Sequence, residues 1–143
     1  MMDDMLQIAG QILQTQPFSV LIGAEMTAFS PGHAELTIPV TAQLRQQHGF
    51  AHGGVLCYAA DNALSFAGGS VLGPAILTSE FKINYLRPAR GDRLVARASV
   101  VYAGRFQAVC RCDVFSVEAG EESLCAVAQG TIVRTGRPSD DPS

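Results

Sequence analysis

Positive charge is scarce in this chain. Ten Lys and Arg stand against thirteen Asp and Glu, giving a net charge of −3 and an isoelectric point near 5.5, and neither basic type occurs before Arg45. Nucleic-acid binding leans on clustered Lys and Arg, so a polyanion-binding role is excluded as the first reading. No C-x-x-C pair occurs among the four cysteines, and Cys57 and Cys125 lie in apolar segments where thiols behave as small hydrophobes. Cys110 and Cys112 share one face of a predicted strand, too close in sequence for an ordinary disulfide. Reduced, buried thiols in a cytoplasmic protein are expected. The opening Met1-Met2-Asp3-Asp4 is acidic where a signal peptide is basic, and no apolar run is read as reaching the roughly 20 residues that span a bilayer. A soluble protein without membrane partners follows. No internal repeat or linker divides the chain, so one domain over 1–135 is expected, with a disordered tail over 136–143.

What is present is a 48% hydrophobic composition, enough to bury a real core at this length. Its centre is the stretch from His48 to Gly69, a glycine-marked loop feeding one apolar helix. Val55, Leu56, Ala59, Ala60, Ala63, Leu64 and Ala67 recur at helical spacing, while Tyr58, Asp61, Asn62 and Ser65 fall together on the remaining face. Between Gln46 and Ser79 the only formally charged side chain, histidines aside, is Asp61. A carboxylate in such a setting is rarely buried unless it is paired or used.

Ahead of this stretch, Met5, Ile8, Ala9, Ile12 and Leu13 predict a short amphipathic helix ended by Pro17. Val20 to Phe29 and Ala34 to Val40 read as a hairpin turned by Ser30-Pro31-Gly32-His33. After Gly73-Pro74 the period switches to two. Phe81, Ile83 and Tyr85 share one strand face. Leu94, Ala96, Ala98, Val100 and Tyr102 share the next, and Phe106, Ala108, Cys110, Cys112 and Val114 a third, before a last strand from Leu124 to Val133. Gly68-Gly69 is expected to end the central helix. Short hairpin connections require antiparallel pairing, so the class is α+β, a curved sheet wrapped around the one apolar helix.

Gly49-Phe50-Ala51-His52-Gly53-Gly54 followed by Ala60-Asp61, with Phe81 to Ala89 reading F-K-I-N-Y-L-R-P-A, resembles the PaaI-like, phenylacetate-degradation type acyl-CoA thioesterases of the hotdog-fold superfamily. The likeness runs over about residues 17 to 134. It implies a hotdog fold, pairing of subunits into a dimer or a dimer of dimers, and hydrolysis of an acyl or aroyl thioester of coenzyme A. By the same resemblance the Gly53 N–H is the oxyanion donor, Asp61 the nucleophile or general base, His52 a support for the loop and Thr78 a hydroxyl facing the acid, with Ser79 its competitor. Family members commonly carry Asn where this chain has Gln46, which keeps both a donor and an acceptor.

Gly54, Ser65, Asn62 and Tyr58 complete the candidate substrate-binding set. Arg87, Arg90 and Arg105 either meet the coenzyme A phosphates or are simply solvated. His48 and His52 stand at i, i+4 without a third ligand, so no metal is expected, and coenzyme A enters only as part of the substrate. A non-catalytic hotdog module that binds acyl-CoA is the rival reading. Eight residues separate Gly53 from Asp61, about 12 Å along a straight helix at 1.5 Å per residue, so one site needs Gly53 and Asp61 from two subunits.

Overall fold

The computed structural model describes residues 2–136. Helix α1 (Met2–Gln14) is amphipathic: Ala9 and Leu13 are buried, while Ile8 and Ile12 stand about half exposed on the neighbouring face. A second helix, α2 (Pro17–Ile22), follows where a strand was expected from Val20. Proline at its first position is preorganised for a helical turn, and Gly23, at φ 83°, closes it in the left-handed region. The apolar run Val20-Leu21-Ile22 therefore belongs to a helix, and the strand β1 (Glu25–Ser30) starts later.

Strands β1, β2 (His33–Pro39), β3 (Ile76–Tyr85), β4 (Arg93–Ala103), β5 (Gln107–Glu118) and β6 (Glu121–Arg134) form one antiparallel sheet in the order β1-β2-β4-β5-β6-β3. The β5–β6 hairpin turns at Ala119-Gly120, both with positive φ, the backbone that two-residue hairpin turns favour. Alternation holds where it matters: Leu94, Ala96 and Ala98 on β4, and Ala108, Cys110, Cys112 and Val114 on β5, are all buried. It fails at two expected core positions, Tyr102 and Phe106, which are more than half exposed. The β4–β5 register shifts between Val100 and Tyr102, and such a bulge turns the following side chain to the other face.

Helix α3 (Gly53–Leu72) lies across the sheet and touches β2, β3, β4, β5 and β6. It meets the length and composition of a membrane span, contrary to the sequence reading, yet its apolar residues Val55 to Leu72 form the centre of the protein's own core. It also continues past Gly68-Gly69 to a C-cap at Gly73. Gly68 sits in the helix for another reason: a Cβ there would lie 2.7 Å from Cβ of Ile132 on β6. Close approach to the sheet, rather than helix termination, accounts for that glycine. The expected tail lies outside the described residues from 137 onward.

Cys110, Cys112 and Cys125 are buried and unpaired, and Cys57 is half-buried. Desolvation pushes the three buried thiols up from 9.0 to about 11, 12 and 11, the nearby Asp113 charge adding to the shift of Cys112. A thiol raised in the folded state stays protonated while its unfolded counterpart ionises. Stability should therefore fall as pH rises from about 9 towards 11–12, by at most about 1.4 kcal/mol per pH unit for each thiol. Urea unfolding across pH 7–11 checks this expectation, and maleimide labelling of the native chain at pH 8 should modify Cys57 well ahead of the other three.

Candidate active site

The loop before α3 is held by its own polar groups. Gln46 Oε1 accepts from the backbone N–H of His48 (2.5 Å) and Phe50 (3.4 Å), and Gln46 N–H donates to the Phe50 carbonyl at 2.9 Å. His52 N–H donates to the Leu44 carbonyl at 2.8 Å, and Ala51 N–H to that of Ala89 at 3.1 Å. His52 is then set with extended φ and ψ as the N-cap, and its Nδ1 accepts the Gly54 N–H at 2.8 Å. That bond assigns the neutral ring's proton to Nε2.

A helix leaves its first N–H groups without intrahelical partners. Here the Gly54 donor is taken by His52, and Val55 N–H reaches the His52 carbonyl at 3.0 Å. The Gly53 N–H has no acceptor among the described residues. On the other side of the same residue, Tyr85 Oη donates to the Gly53 carbonyl at 3.1 Å, and a Cβ on Gly53 would lie 3.6 Å from its ring. Desolvation first, and then the neighbouring Cys57 thiol, raise the Tyr85 hydroxyl, so it remains a protonated donor. Gly53, Tyr85, Gln46, Phe50 and Arg87 line a cavity of about 430 Å³.

Two turns along α3, Asp61 Oδ1 accepts from Thr78 Oγ1 at 2.7 Å. Thr78 lies 2.9 Å from Ser65 Oγ. The single proton of Thr78 goes to the carboxylate, so Ser65 is the donor in the second bond. Ser65 thus reaches the acid through Thr78 and also lines a larger cavity of about 490 Å³ between α1, α3 and the sheet. Of the two cavities, neither is lined by both Gly53 and Asp61.

Tyr58 and Asn62 make a separate network. Tyr58 Oη donates to Ser19 Oγ at 2.5 Å, Ser19 Oγ donates to Gln16 Oε1 at 2.6 Å, and Asn62 Nδ2 reaches Gln16 Oε1 at 3.1 Å and Tyr58 Oη at 3.0 Å. Ser19 is 1% exposed. These bonds fasten the α1–α2 corner to α3 beside Asp61, and Asn62 also lines the larger cavity. Gln16, Ser19 and Tyr85 escaped the sequence reading. Only the shared period of Phe81, Ile83 and Tyr85 hinted that Tyr85 faces α3, and nothing local marked Gln16 or Ser19.

The arginines separate. Arg87 lines the cavity at Gly53, and Arg90 stacks 4.9 Å above the ring of Phe50 on the same cavity. Arg105 lies 5.5 Å above the Phe106 ring, whose backbone carbonyl accepts from Arg134 N–H, near the far end of α3. Among the described residues no three His, Cys, Asp or Glu side chains converge as metal ligands would.

The Thioesterase superfamily matches this chain over residues 48–123. The acyl-coenzyme A thioesterase PaaI of Escherichia coli K12 is 38% identical over 85 residues, covering 59% of this chain and 60% of that protein. Among solved structures, a thioesterase family protein from Silicibacter pomeroyi superposes with a TM-score of 0.83 at 35% identity, covering 86% of this chain and 92% of its own. The structure of the E. coli PaaI protein from the phenylacetic acid degradation operon gives 0.83 at 29% identity, covering 94% and 96%.

The Tyr58–Ser19–Asn62 network gives a direct expectation. Ser19→Ala removes the acceptor for Tyr58 and leaves buried polar groups unpaired, and should cost about 1–3 kcal/mol in urea unfolding. Tyr58→Phe should cost about 1 kcal/mol, and the double variant less than the sum, because the two share one bond.

Proposed function

The chain belongs to the thioesterase superfamily, as a PaaI-like hotdog protein, and we propose that it hydrolyses acyl-CoA or aroyl-CoA thioesters to the free acid and coenzyme A. The observation that carries this reading is the pairing of an unpartnered Gly53 N–H at a helix N-terminus with an Asp61 carboxylate gripped by Thr78.

Thioester hydrolysis develops negative charge on the carbonyl oxygen and needs a group that attacks the carbonyl carbon or activates water. The Gly53 N–H, at the positive end of α3, takes the oxyanion. The His52 carbonyl, accepting from Val55 N–H at 3.0 Å, holds the His52–Gly53 peptide that carries the donor, while His52 Nδ1 and Tyr85 Oη grip the peptide that follows. Thr78 engages Asp61 Oδ1, which leaves Oδ2 to attack the carbonyl or to take a proton from water. Gln46 keeps the loop closed rather than reaching the carbonyl. Arg87 and Arg90 flank the cavity at Gly53 and receive the coenzyme A phosphates, a role in which Arg105 has no part. Protein groups and water are sufficient for this hydrolysis.

The eight-residue separation of Gly53 and Asp61 requires two protomers to complete one site. Supporting this, β3 is an edge of the sheet and carries Thr78 and Tyr85, with Leu77 64% exposed beside them. Unpaired strand edges favour association.

Asp61→Asn should lower kcat/KM by at least about 100-fold across a panel of acyl-CoA substrates followed by free-thiol release, with coenzyme A binding retained. Full activity in that variant would refute Asp61 as the reacting acid, and binding without turnover in the native chain would turn the assignment to a non-catalytic binder. The shared site has its own test. Gly53→Pro removes the N–H at a helix position that tolerates proline, and the Cβ it adds meets the Tyr85 ring at an ordinary 3.6 Å. Exchange of the inactive Gly53→Pro and Asp61→Asn chains at equal amounts should restore about a quarter of native activity, because half the dimers are mixed and each has one intact site. Well-exchanged mixtures without activity would refute two-chain catalysis.

A further inference from the structure

We propose that Arg45 is a positioning residue whose guanidinium straps the loop presenting the Gly53 donor to the loop carrying Arg87 and Arg90, so that the carbonyl and the phosphates of one coenzyme A thioester are met in a fixed register. The proposal rests on the thioester-hydrolase reading for the identity of the substrate, and on the loop geometry for the role of Arg45.

Arg45 follows the short 3-10 helix Ala42–Leu44 and directly precedes Gln46. Its Nη1 donates to the Gly49 carbonyl at 2.8 Å, and its Nη2 donates to the carbonyls of Val40 and Gly91, each at 3.1 Å. These carbonyls belong to the loop before α3, to the end of β2 and to the turn between β3 and β4. Among the described residues no backbone N–H donates to any of them. Backbone carbonyls kept from water are costly without a donor, and a planar guanidinium supplies several N–H groups in one rigid fork.

The strap ends beside the groups that meet the substrate. Gly49 is followed by Phe50, over whose ring Arg90 stacks, and Gly91 follows Arg90 itself. Ala51 N–H, bonded to the Ala89 carbonyl, fixes only the end of the loop nearest α3. Arg45 instead reaches the tip at Gly49, where φ is 89°. The arginine-bearing segment has a firm seat of its own. A Cβ on Gly91, at φ 100°, would lie 2.1 Å from the Val117 carbonyl oxygen, and Asp92 N–H donates to that same oxygen at 3.1 Å. Arg45 thus ties the donor loop to a segment already pressed against the end of β5.

The test compares the native full chain with Arg45→Met, which keeps the apolar stem, and Arg45→Lys, which keeps the charge without the fork. Hexanoyl- and phenylacetyl-CoA are set against the matching S-acyl pantetheines, which carry the same thioester without phosphates. Hydrolysis is followed by thiol release, with urea unfolding and titration by coenzyme A in parallel. In Arg45→Met the KM for acyl-CoA should rise about 10-fold or more while that for acyl-pantetheine changes less than about 3-fold, any fall in kcat being common to both. Coenzyme A should bind about 10-fold more weakly. Arg45→Lys should fall between the two chains, and it carries the test if Arg45→Met does not fold. Equal changes in KM for both kinds of substrate, an unchanged KM for acyl-CoA, or a native KM that does not distinguish them would overturn the role of Arg45 and leave the hydrolase intact. A native chain that cleaves no thioester would overturn the hydrolase, and coenzyme A titration then decides Arg45: weakened binding in the variants sustains the strap, and unchanged or absent binding overturns it.

Discussion

The close approach of α3 to the sheet is the constraint from which the rest descends. Ile132 occupies the space a side chain at Gly68 would need, and Ala59, Ala60, Ala63 and Ala67 are fully buried on the same helix. Small residues let the helix sit low on five strands, and large ones such as Leu56, Leu64 and Leu72 fill what remains. A helix apolar over most of its circumference has one strip left for polar groups. Tyr58, Asp61, Asn62 and Ser65 occupy it, and every one has a hydrogen-bond partner within the protein.

The same burial fixes what the helix N-terminus can offer. With α3 held along its length, the His52 carbonyl that accepts the Val55 N–H fixes the His52–Gly53 peptide and so the direction of the Gly53 N–H, and the His52 ring and Tyr85 hydroxyl hold the next peptide. Preorganisation of this kind matters because a donor already aimed does not reorganise as charge develops. Tyr85 reaches that position from the end of β3, and Thr78 reaches Asp61 from near its start, so one edge strand serves both halves of the chemistry. The Thr78–Glu80 register shift falls beside the residue that grips the acid.

Much of this was legible in the chain's periodicities. Helical spacing from Val55 to Ala67 marked α3 and its polar strip, and period two marked the later strands, because both patterns follow directly from which side of an element is buried. Three kinds of feature were not legible. Val20-Leu21-Ile22 reads as strand by composition, and only the contacts of Ser19 with Tyr58 and Asn62 hold that segment as a helical turn. Tyr102 and Phe106 follow a bulge, which a strict alternation does not foresee. Gly68 looked like a stop because a glycine needed for close packing and one needed for a helix end are the same letter. The acid and the hydroxyl on its strand could be named from motif alone. The hydrogen-bonded route from Ser65 through Thr78 to Asp61 needed the folded chain, since its members are 13 and 17 residues apart.

Helix α1 is tied to the body by its packing on β1 and by Gln16 at its end, while its cavity face carries no residue that touches the acid. Its thirteen residues are thus a nearly separate unit of variation. Drift among the isoleucines there reshapes the larger cavity without disturbing the cap, the acid or the core helix. A lineage can in this way edit one terminal helix, while selection on the remaining fold holds the reaction itself constant.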